Sequence, residues 1–460
     1  MPAVPMDTEP GWLDRRRTGF LLPLSSLLSR TGNGPLGAPA HEFLRFIADS
    51  GASVWQMLPV HPPDAGGSPY QSNSAHAGDP RLICRSTAPA NAAGLPEFRQ
   101  AQSAWLDDFA LYCALKQHFG LQPWWQWPPE FRDRVPKALG AFRRSHAAEI
   151  TQHCSDQYQF FSQWRRLRKE AAKLGILLLG DMPLFVSHDS ADVWANQKLF
   201  QLDKTGQPIV VAGVPPDYYS ATGQRWGNPV FNWARHSTKG FGWWINRVRT
   251  ELEMFDVIRI DHFRGLEAVW EIPAGAPTAE SGKWRPVPGR ELLRALHAAF
   301  TPLPFLAEDL GTITQPVIDL RREFNVPGMR VLQFAFDGGP TNPYLPHNHE
   351  PDSAVYTGTH DNNTTLGWFE ALDTRTQKRV LEYLGSPRRS MPWPLVEAAL
   401  TSVCRLAVIP VQDILGLDAA HRMNTPGTVT GNWQWTLPAE KLTPELAAKM
   451  KHLNQIYGRG

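Results

Sequence analysis

The sequence has few cysteines and no long apolar run, and both absences narrow the classes of protein it can encode. Its four cysteines among 460 residues are widely separated, so none forms the C-x-x-C pair of zinc sites and thiol redox centres. No segment reaches the roughly 18 apolar residues of a membrane-spanning helix. The N-terminal residues lack the apolar stretch of a secretory signal. We therefore expect a cytoplasmic protein that does not enter a membrane.

A concentrated basic charge is also absent. The formal net charge is +2, with 20% charged residues and no block of lysine and arginine, so we do not expect nucleic acid as a partner. Neither G-x-x-x-x-G-K-S/T nor G-x-G-x-x-G occurs where a strand would meet a helix, which argues against nucleotide chemistry. No motif indicates an oligomeric state.

Tryptophan, by contrast, is abundant, with 18 residues. Several of them, such as Trp124, Trp125 and Trp226, stand among polar residues, glycine and proline. An indole offers a flat apolar face and a polar N–H group, which suits the faces of sugar rings. Packing in the core is the commoner use of any single tryptophan, so both interpretations stay open for each of them.

Eight short apolar runs bounded by turn signals predict eight strands. Patterns typical of helices lie between most of them, for example at 160–174, 289–300, 314–324 and 374–384. Alternating strands and helices indicate a parallel sheet, and eight repeats predict a closed (β/α)₈ TIM barrel of the α/β class. The predicted strands are 19–24, 52–60, 175–186, 255–262, 304–309, 329–336, 354–361 and 406–413.

Two connections are too long for simple loops. The first, at about 62–174, contains its own helical patterns and predicts a helical insertion that forms a subdomain. The second, at about 187–240, is rich in Gly, Pro, Tyr and Trp with little periodicity, which predicts an irregular lid over the site. We predict one catalytic domain over residues 1–460 that carries both insertions.

Charged residues follow several of the predicted strands. In a barrel the carboxyl ends of the strands face the active site, so these side chains should form one cluster. A metal centre is one use of such a cluster, but no His-x-His or H-E-x-x-H pair occurs at a strand end, so we predict neither a metal ion nor another cofactor. The cluster contains Asp181, Arg259, Asp261, Glu308, Asp309, His360, Asp361 and Asp413.

Arg259 and Asp261 are two residues apart on one strand, so both point to the same side. An arginine beside a carboxylate is equally consistent with an inert ion pair and with a prepared anionic nucleophile. Adding Glu308 and Asp361 favours the nucleophile, because crowded carboxylates raise the pKa of one member and keep it protonated. Retaining glycosidases need one ionised carboxylate as nucleophile and one protonated carboxyl group as acid/base. Here Asp261 suits the nucleophile and Glu308 suits the acid/base.

The chain resembles the amylomaltases, which are 4-α-glucanotransferases related to the α-amylase superfamily. The motifs that carry the resemblance are RIDHFRG, AEDLG and GTHDNNTT at the strand ends. Further similar segments, in the same order along the chain, are SPYQSNSAHAGDPRLI, GDMPLFVSHDSADVWANQKLFQLD, VAGVPPDYYSATGQRWGNPVFNW, PVQDILGL and RMNTPGTVTGNWQW.

The resemblance implies roles for individual residues. Asp261 would be the nucleophile, Glu308 the general acid/base and Asp361 the acid that stabilises the transition state. The substrate-binding residues that it implies are Arg259, His360, Asp181, Tyr70, Ser68 and, on the lid, Asp217, Tyr219, Gln224 and Trp226. The chain departs from the usual family pattern at His76, Asp79, Tyr219 and Asn363.

From this resemblance we expect an enzyme that transfers a segment of an α-1,4-glucan from a donor to the 4-hydroxyl group of an acceptor glucan or glucose. Two alternatives remain open at this point. A retaining α-glucan hydrolase would use the same covalent step with water as the acceptor. A non-catalytic scaffold would bind glucans without needing all three carboxylates.

Overall fold

The computed structural model describes residues 11–27, 33–86, 92–216, 220–428 and 430–460. Within these residues the chain forms twelve strands, numbered here in chain order. They are β1 Arg17–Leu21, β2 Val54–Gln56, β3 Leu177–Met182, β4 Val210–Val214, β5 Gln224–Pro229, β6 Val257–Ile260, β7 Ala268–Pro273, β8 Lys283–Pro286, β9 Phe305–Ala307, β10 Gly328–Val331, β11 Ser353–Tyr356 and β12 Leu406–Pro410.

The α-helices of the described residues are numbered in the same way. They are α1 Ala38–Asp49, α2 Leu95–Ala101, α3 Leu106–His118, α4 Pro129–Arg132, α5 Pro136–Ser145, α6 Ala147–Lys173, α7 Ala191–Ala195, α8 Trp233–Thr238, α9 Gly242–Met254, α10 Gly289–Ala299, α11 Gln315–Glu323, α12 Thr365–Ala371, α13 Thr374–Tyr383, α14 Trp393–Thr401, α15 Val411–Ile414 and α16 Pro444–Ile456.

Eight strands form one parallel sheet in the order β10-β11-β12-β1-β2-β3-β6-β9. The two ends of this sheet approach each other, since the Ala307 N–H donates to the Pro327 carbonyl at 2.8 Å. The sheet is therefore a nearly closed barrel with helices around it, and the predicted (β/α)₈ fold is confirmed. Each of the eight predicted strands overlaps one barrel strand.

The observed strands end earlier than predicted: Asp261 and Glu308 lie just beyond the hydrogen-bonded ladder, whereas Asp181 and Arg259 lie within it. Strand β6 ends at Ile260, one residue before Asp261, and β9 ends at Ala307, one residue before Glu308. Apolar side chains favour the ladder, whereas the charged side chains that follow turn into the cleft. The barrel thus ends where its polar mouth begins.

Side chains alternate between two apolar layers along the barrel strands. One cluster fills the interior and includes Leu21, Val54, Leu179, Val257 and Leu306. The residues between them, such as Phe20, Trp55, Leu178, Ile258 and Phe305, belong to a larger cluster with the surrounding helices. This alternation follows from the pleat of a strand, and it sets which side each later residue faces.

The two long connections differ from each other in structure. Helices α2 to α6 lie between β2 and β3, in agreement with the helical pattern of the sequence. The segment predicted to be irregular instead contains β4 and β5, which join β7 and β8 in an antiparallel sheet of order β5-β4-β7-β8. Strand β4 pairs with β7, far along the chain, and its pairing with β5 shifts register between Val211 and Gly213. Local periodicity does not reveal such a long-range and irregular pairing.

No helix within the described ranges is both long enough and apolar enough to cross a membrane.

A buried arginine near the C-terminus ties the entrance of the barrel together. Arg459 is 1% exposed, and its guanidinium donates to the carbonyls of Leu400 at 2.6 Å, Ser402 and Cys404 at 2.8 Å, and Arg17 at 3.0 Å. These carbonyls lie before β12 and at the start of β1, which are neighbours in the barrel. The side chain therefore supplies donors to these four main-chain carbonyls, of which those of Leu400 and Ser402 also accept from Arg16.

We expect Arg459→Met to lower the free energy of unfolding by about 3 kcal/mol, because it keeps much of the packing but removes the hydrogen bonds that Arg459 donates to four main-chain carbonyls. Urea denaturation measures the change. Arg388→Met, at an exposed position, is the matched control and should change stability by less than about 0.5 kcal/mol. Equal stability of the two variants would show that Arg459 does not hold the barrel entrance.

Candidate active site

The alternation of the barrel strands decides which charged side chains meet at the mouth. Leu179, Val257 and Leu306 pack inside the barrel on β3, β6 and β9. A residue two positions later points to the same side of its strand. The residues two positions after these three are Asp181, Arg259 and Glu308.

Arg259 stands at the centre of this group. Its Nη1 donates to both carboxylate oxygens of Asp181, at 2.6 and 2.7 Å, and to Oδ1 of Asp261 at 3.0 Å. Burial disfavours its charged form, but the carboxylates of Asp181 and Asp261 raise its pKa overall, so Arg259 is charged. Asp181 is fully buried, whereas the side chain of Asp261 is 30% exposed. Asp261 is therefore an oriented carboxylate with one side open to the cleft.

Glu308 lies in a different environment. Its two carboxyl oxygens accept hydrogen bonds from the main-chain N–H groups of His262 at 2.8 Å and Leu310 at 3.1 Å. Burial is the main cause that raises the pKa of Glu308 to about 7, and the negative charge of Asp261 adds to it while Arg259 opposes it. At neutral pH Glu308 can hold a proton that it is able to release, which suits an acid/base group.

His262 contributes through its main chain. Its φ angle of 53° lies in the left-handed region, which costs a non-glycine residue of order 1 kcal/mol. This conformation turns the N–H group toward Glu308, while the imidazole packs edge-on against the ring of Trp226 at 4.9 Å. The strained residue after Asp261 thus links the two carboxyl groups of the site.

Asp361 follows β11, and its side chain is 49% exposed. His360 Nε2 lies 3.3 Å from its Oδ2, and Asn424 Nδ2 donates to its Oδ1 at 2.6 Å. Desolvation in the cleft would raise the pKa of Asp361, but His360 and the hydrogen bond from Asn424 lower it well below its usual range. Asp361 is therefore an ionised acceptor at the mouth.

Tyr70 connects the two halves of this network. Its hydroxyl group lies 2.9 Å from Asp181 Oδ2 and 2.8 Å from His360 Nε2, and its ring stacks on the imidazole at a centroid distance of 5.2 Å. Because a carboxylate only accepts, Tyr70 donates to Asp181 and receives a hydrogen bond from His360. Burial and the charge of Asp181 raise the pKa of Tyr70, which keeps the hydroxyl protonated. The Oγ of Ser68 accepts from the Tyr70 N–H at 3.3 Å and supports this turn.

The segment predicted as a lid contributes two described residues. Trp226 and Gln224 lie on β5, where the indole N–H donates to the amide oxygen of Gln224 at 3.1 Å. Trp226 is partly exposed, and its ring contacts His262, the residue after Asp261. Asp217 and Tyr219 lie outside the residues that the structure describes.

Sequence relatives establish the family of the chain. A family model described as 4-alpha-glucanotransferase matches residues 22–90 and 84–442. The 4-alpha-glucanotransferase of Thermus thermophilus is 43% identical, over 96% of this chain and 99% of the relative. That of Synechocystis sp. is 42% identical, over 97% of this chain and 99% of the relative. The chain belongs to the 4-alpha-glucanotransferase family.

Solved structures agree with this assignment. The amylomaltase from Streptococcus agalactiae, in complex with acarbose, matches with a TM-score of 0.92 and 34% identity, covering 97% of this chain and 100% of that chain. The amylomaltase from Corynebacterium glutamicum shares the fold, with a TM-score of 0.76 at 17% identity, over 97% of this chain and 76% of that chain. Membership of the 4-alpha-glucanotransferase family makes the chain a glycosyltransferase that acts on α-glucans, which confirms the family predicted from the motifs.

The sequence analysis assigned no site residue in the segment 422–435, yet the fold brings three residues of this segment into the site. Besides Asn424, Arg422 donates to the main-chain carbonyl of Asp361 at 3.0 Å. The ring of Trp433 lies 5.9 Å from the rings of both Tyr70 and His360. These residues belong to the motif RMNTPGTVTGNWQW, which signalled the family but not the contact.

Two acids expected in the cluster lie elsewhere. Asp309 follows Glu308 and points the other way, where it accepts from the Met329 N–H at 2.7 Å and pairs with Arg321 at 3.2 Å. Asp413 accepts from the main chain and the hydroxyl group of Thr365, both at 2.7 Å. Both acids secure loops outside the mouth, so the prediction that all strand-end acids converge was wrong for these two.

The guanidinium of Arg259 occupies the space between Asp181 and Asp261, where a cation would otherwise bridge two carboxylates. Across the part of the chain that the structure describes, no three His, Cys, Asp or Glu side chains are grouped to hold a metal ion.

Replacing Asp261 with asparagine removes a negative charge beside Glu308. We expect the pKa of Glu308 to fall below about 7 but to stay above its ordinary value, because burial, the larger cause, remains. NMR titration of isotope-labelled glutamate carboxyl carbons, with the Glu308 signal assigned through Glu308→Gln, measures the pKa. Asp319→Asn, at an exposed position on α11, is the control. An unchanged pKa in Asp261→Asn would mean that the two carboxyl groups do not interact.

Proposed function

We propose that the chain cleaves an α-1,4-glucan, holds the donor segment covalently on Asp261 and passes it to the 4-hydroxyl group of a second glucan or of glucose. The observation that carries the proposal is the unequal environment of two neighbouring acids. Asp261 is oriented by a charged arginine and open to the cleft, whereas Glu308 is partly buried and desolvation raises its pKa to about 7. Retaining transfer needs one ionised nucleophile and one acid that can gain and lose a proton.

The first step uses both groups. Protonated Glu308 donates its proton to the glycosidic oxygen while a carboxylate oxygen of Asp261 attacks the anomeric carbon, so the leaving glucan departs with its new hydroxyl group. The bond to Asp261 inverts the anomeric centre. Glu308 is then ionised and placed to act as a base.

The second step reverses these roles. The carboxylate of Glu308 accepts the proton of the acceptor hydroxyl group, whose oxygen attacks the anomeric carbon and releases Asp261. A second inversion restores the original α configuration. The products are a lengthened acceptor and a regenerated pair of carboxyl groups.

We propose that the network around Tyr70 holds the sugar ring at the point of cleavage. Asp361 is ionised and half exposed, so it can accept hydrogen bonds from ring hydroxyl groups that strengthen as the ring flattens. Tyr70, His360, Asp181 and Arg259 would line the same subsite. The Streptococcus agalactiae amylomaltase was solved in complex with acarbose, which supports the proposal that this chain binds a ligand of that kind.

We also propose that part of the segment at about 187–240 forms a lid over the cleft. Trp226 and Gln224 of β5, together with Asp217 and Tyr219, would cover the cleft, shield the covalent intermediate from water and contact the incoming acceptor. The position of Trp226 against His262, next to Asp261, supports this role.

The organisation of the chain as one catalytic domain with insertions at about 62–174 and 187–240 is part of the proposal. The barrel strands come from both sides of each insertion, which supports a single unit. The cytoplasmic location and the absence of a cofactor stay predictions from the sequence.

Incubation with maltotriose tests the function. Transfer predicts glucose together with a ladder of longer oligomers and little net gain in reducing ends, whereas a net gain would favour a hydrolase and no change would favour a scaffold. Asp261→Asn should lower turnover by more than about a thousandfold while the fold is kept. Asp319→Asn is the control, and retained activity of Asp261→Asn would exclude Asp261 as the nucleophile.

Trp226→Ala tests the lid. We expect the ratio of hydrolysis to transfer to rise about threefold or more, because water would reach the intermediate more easily. Trp284→Ala, on β8 of the same antiparallel sheet, is the matched control. Product analysis by chromatography measures both reactions, and an unchanged ratio in Trp226→Ala would remove the shielding role.

A further inference from the structure

Helix α9 buries a guanidinium and a carboxylate that the proposed reaction does not use. Arg247 is 1% exposed and Glu251 is fully buried, and the two lie one helical turn apart on the same face. Arg247 donates to the main-chain carbonyl of Leu184 at 3.1 Å and to that of Pro183 at 2.5 Å. Burial of a charged group is unfavourable unless the group forms hydrogen bonds. The hydrogen bonds that Arg247 donates fix the main chain directly after β3.

The fixed carbonyls lie close to the active site along the chain. Pro183 and Leu184 follow Asp181 by two and three residues, and Asp181 receives the hydrogen bonds of Arg259 and Tyr70. A shift of this turn would therefore move the carboxylate on which the sugar subsite is built.

A second arm leads from α9 to the segment that carries Tyr70. Glu251 Oε1 lies 2.9 Å from His61 Nε2, and His61 Nδ1 donates to the carbonyl of Ala77 at 2.8 Å. Because a carbonyl and a carboxylate both only accept, protonated His61 donates from Nδ1 to Ala77 and from Nε2 to Glu251; burial would lower the pKa of His61, but Glu251 raises it overall. His61 thus links α9, through Glu251, to the chain after β2 and to the carbonyl of Ala77 in the segment after Tyr70.

A further acid, Asp192 at the start of α7, grips the same segment. Its Oδ2 accepts from the Ala75 N–H at 2.7 Å, and its Oδ1 lies 3.5 Å from His76 Nε2. The other ring nitrogen of His76 contacts the hydroxyl group of Thr250 on α9 at 2.9 Å. Burial lowers the pKa of Arg247 to about 10, with Glu251 and Asp192 opposing the shift, so the guanidinium stays charged at neutral pH between the two arms.

We propose that Arg247 is a positioning residue for the sugar subsite formed by Tyr70, Asp181 and His360. Its guanidinium holds the exit of β3 through the carbonyls of Pro183 and Leu184, while Glu251 and Asp192 separately hold the segment that carries Tyr70. The inference rests on the proposed function, because it assigns Arg247 to the subsite used there. Misplacement of a binding group by about 1 Å can lower a rate by about a hundredfold, so a residue outside the cleft can control turnover.

Arg247→Lys keeps the charge but replaces a planar donor that reaches two carbonyls with a single nitrogen. We expect kcat/KM for maltotriose to fall about tenfold or more, mostly in kcat, since the subsite acts on the transition state. Arg249→Lys is the matched control, because Arg249 is exposed on the same helix and contacts Asn246 and the ring of Phe300 rather than the exit of β3. Thermal unfolding of each variant separates a loss of positioning from a loss of fold.

A double-mutant cycle with Tyr70→Phe decides whether Arg247 acts through the subsite. If it does, the double variant loses less activity than the product of the two single losses. Multiplied losses, or a lower unfolding midpoint with unchanged kcat/KM, would overturn the proposal. If Arg247→Lys does not fold, Arg247→Gln takes its place in the cycle, with the same expected and contrary results.

Failure of the proposed function would be recognised separately. If the chain only hydrolysed maltotriose, transfer would be excluded, yet the cycle would be measured on hydrolysis with the same criterion. If Tyr70→Phe alone had no effect, the role of Tyr70 would be wrong, and Asp181→Asn would form the second side of the cycle.

Discussion

The guanidinium of Arg259 binds two carboxylates at once, and the rest of the mouth is arranged around this contact. Asp181 supplies a buried pair of oxygens that fixes the guanidinium, so its remaining interaction can orient the more exposed Asp261. From Asp181 the hydrogen bonds continue through Tyr70 to His360. The ion pair between Arg259 and Asp261 is therefore one side of a shared interaction, and this is what joins separate strands into one site.

The surroundings of two acids at the mouth, Glu308 and Asp361, shift their pKa values in opposite directions. Glu308 lies in a partly buried position where desolvation raises its pKa to about 7, although two main-chain N–H groups donate to it. Asp361 lies in the same mouth but is ionised, because His360 and Asn424 favour its charged form. Two carboxyl groups in the same mouth thus have very different pKa values. The difference follows from desolvation and from their hydrogen-bonding and charged partners rather than from residue type.

Much of the fold and of the site could be predicted from local signals. Apolar runs marked all eight barrel strands, and the motif around Asp261 marked the mouth. The limits appear at particular residues. Asp309 stands beside Glu308 in the sequence, yet it faces Arg321, because strand alternation reverses the direction of adjacent side chains. Strands β4 and β5 were missed because their pairing with β7 is long-range and interrupted by a register shift.

The sequence by itself determined the barrel and the family, and it predicted the carboxyl groups Asp261, Glu308 and Asp361, because strand patterns and motifs are local properties of the chain. Only the tertiary structure decided which partners those groups have. Asn424 reaches Asp361 from 63 residues away, and Asp181 reaches Arg259 from 78 residues away. Such contacts depend on how the strands and loops pack in space, and they set the charge and orientation of each carboxyl group at the mouth.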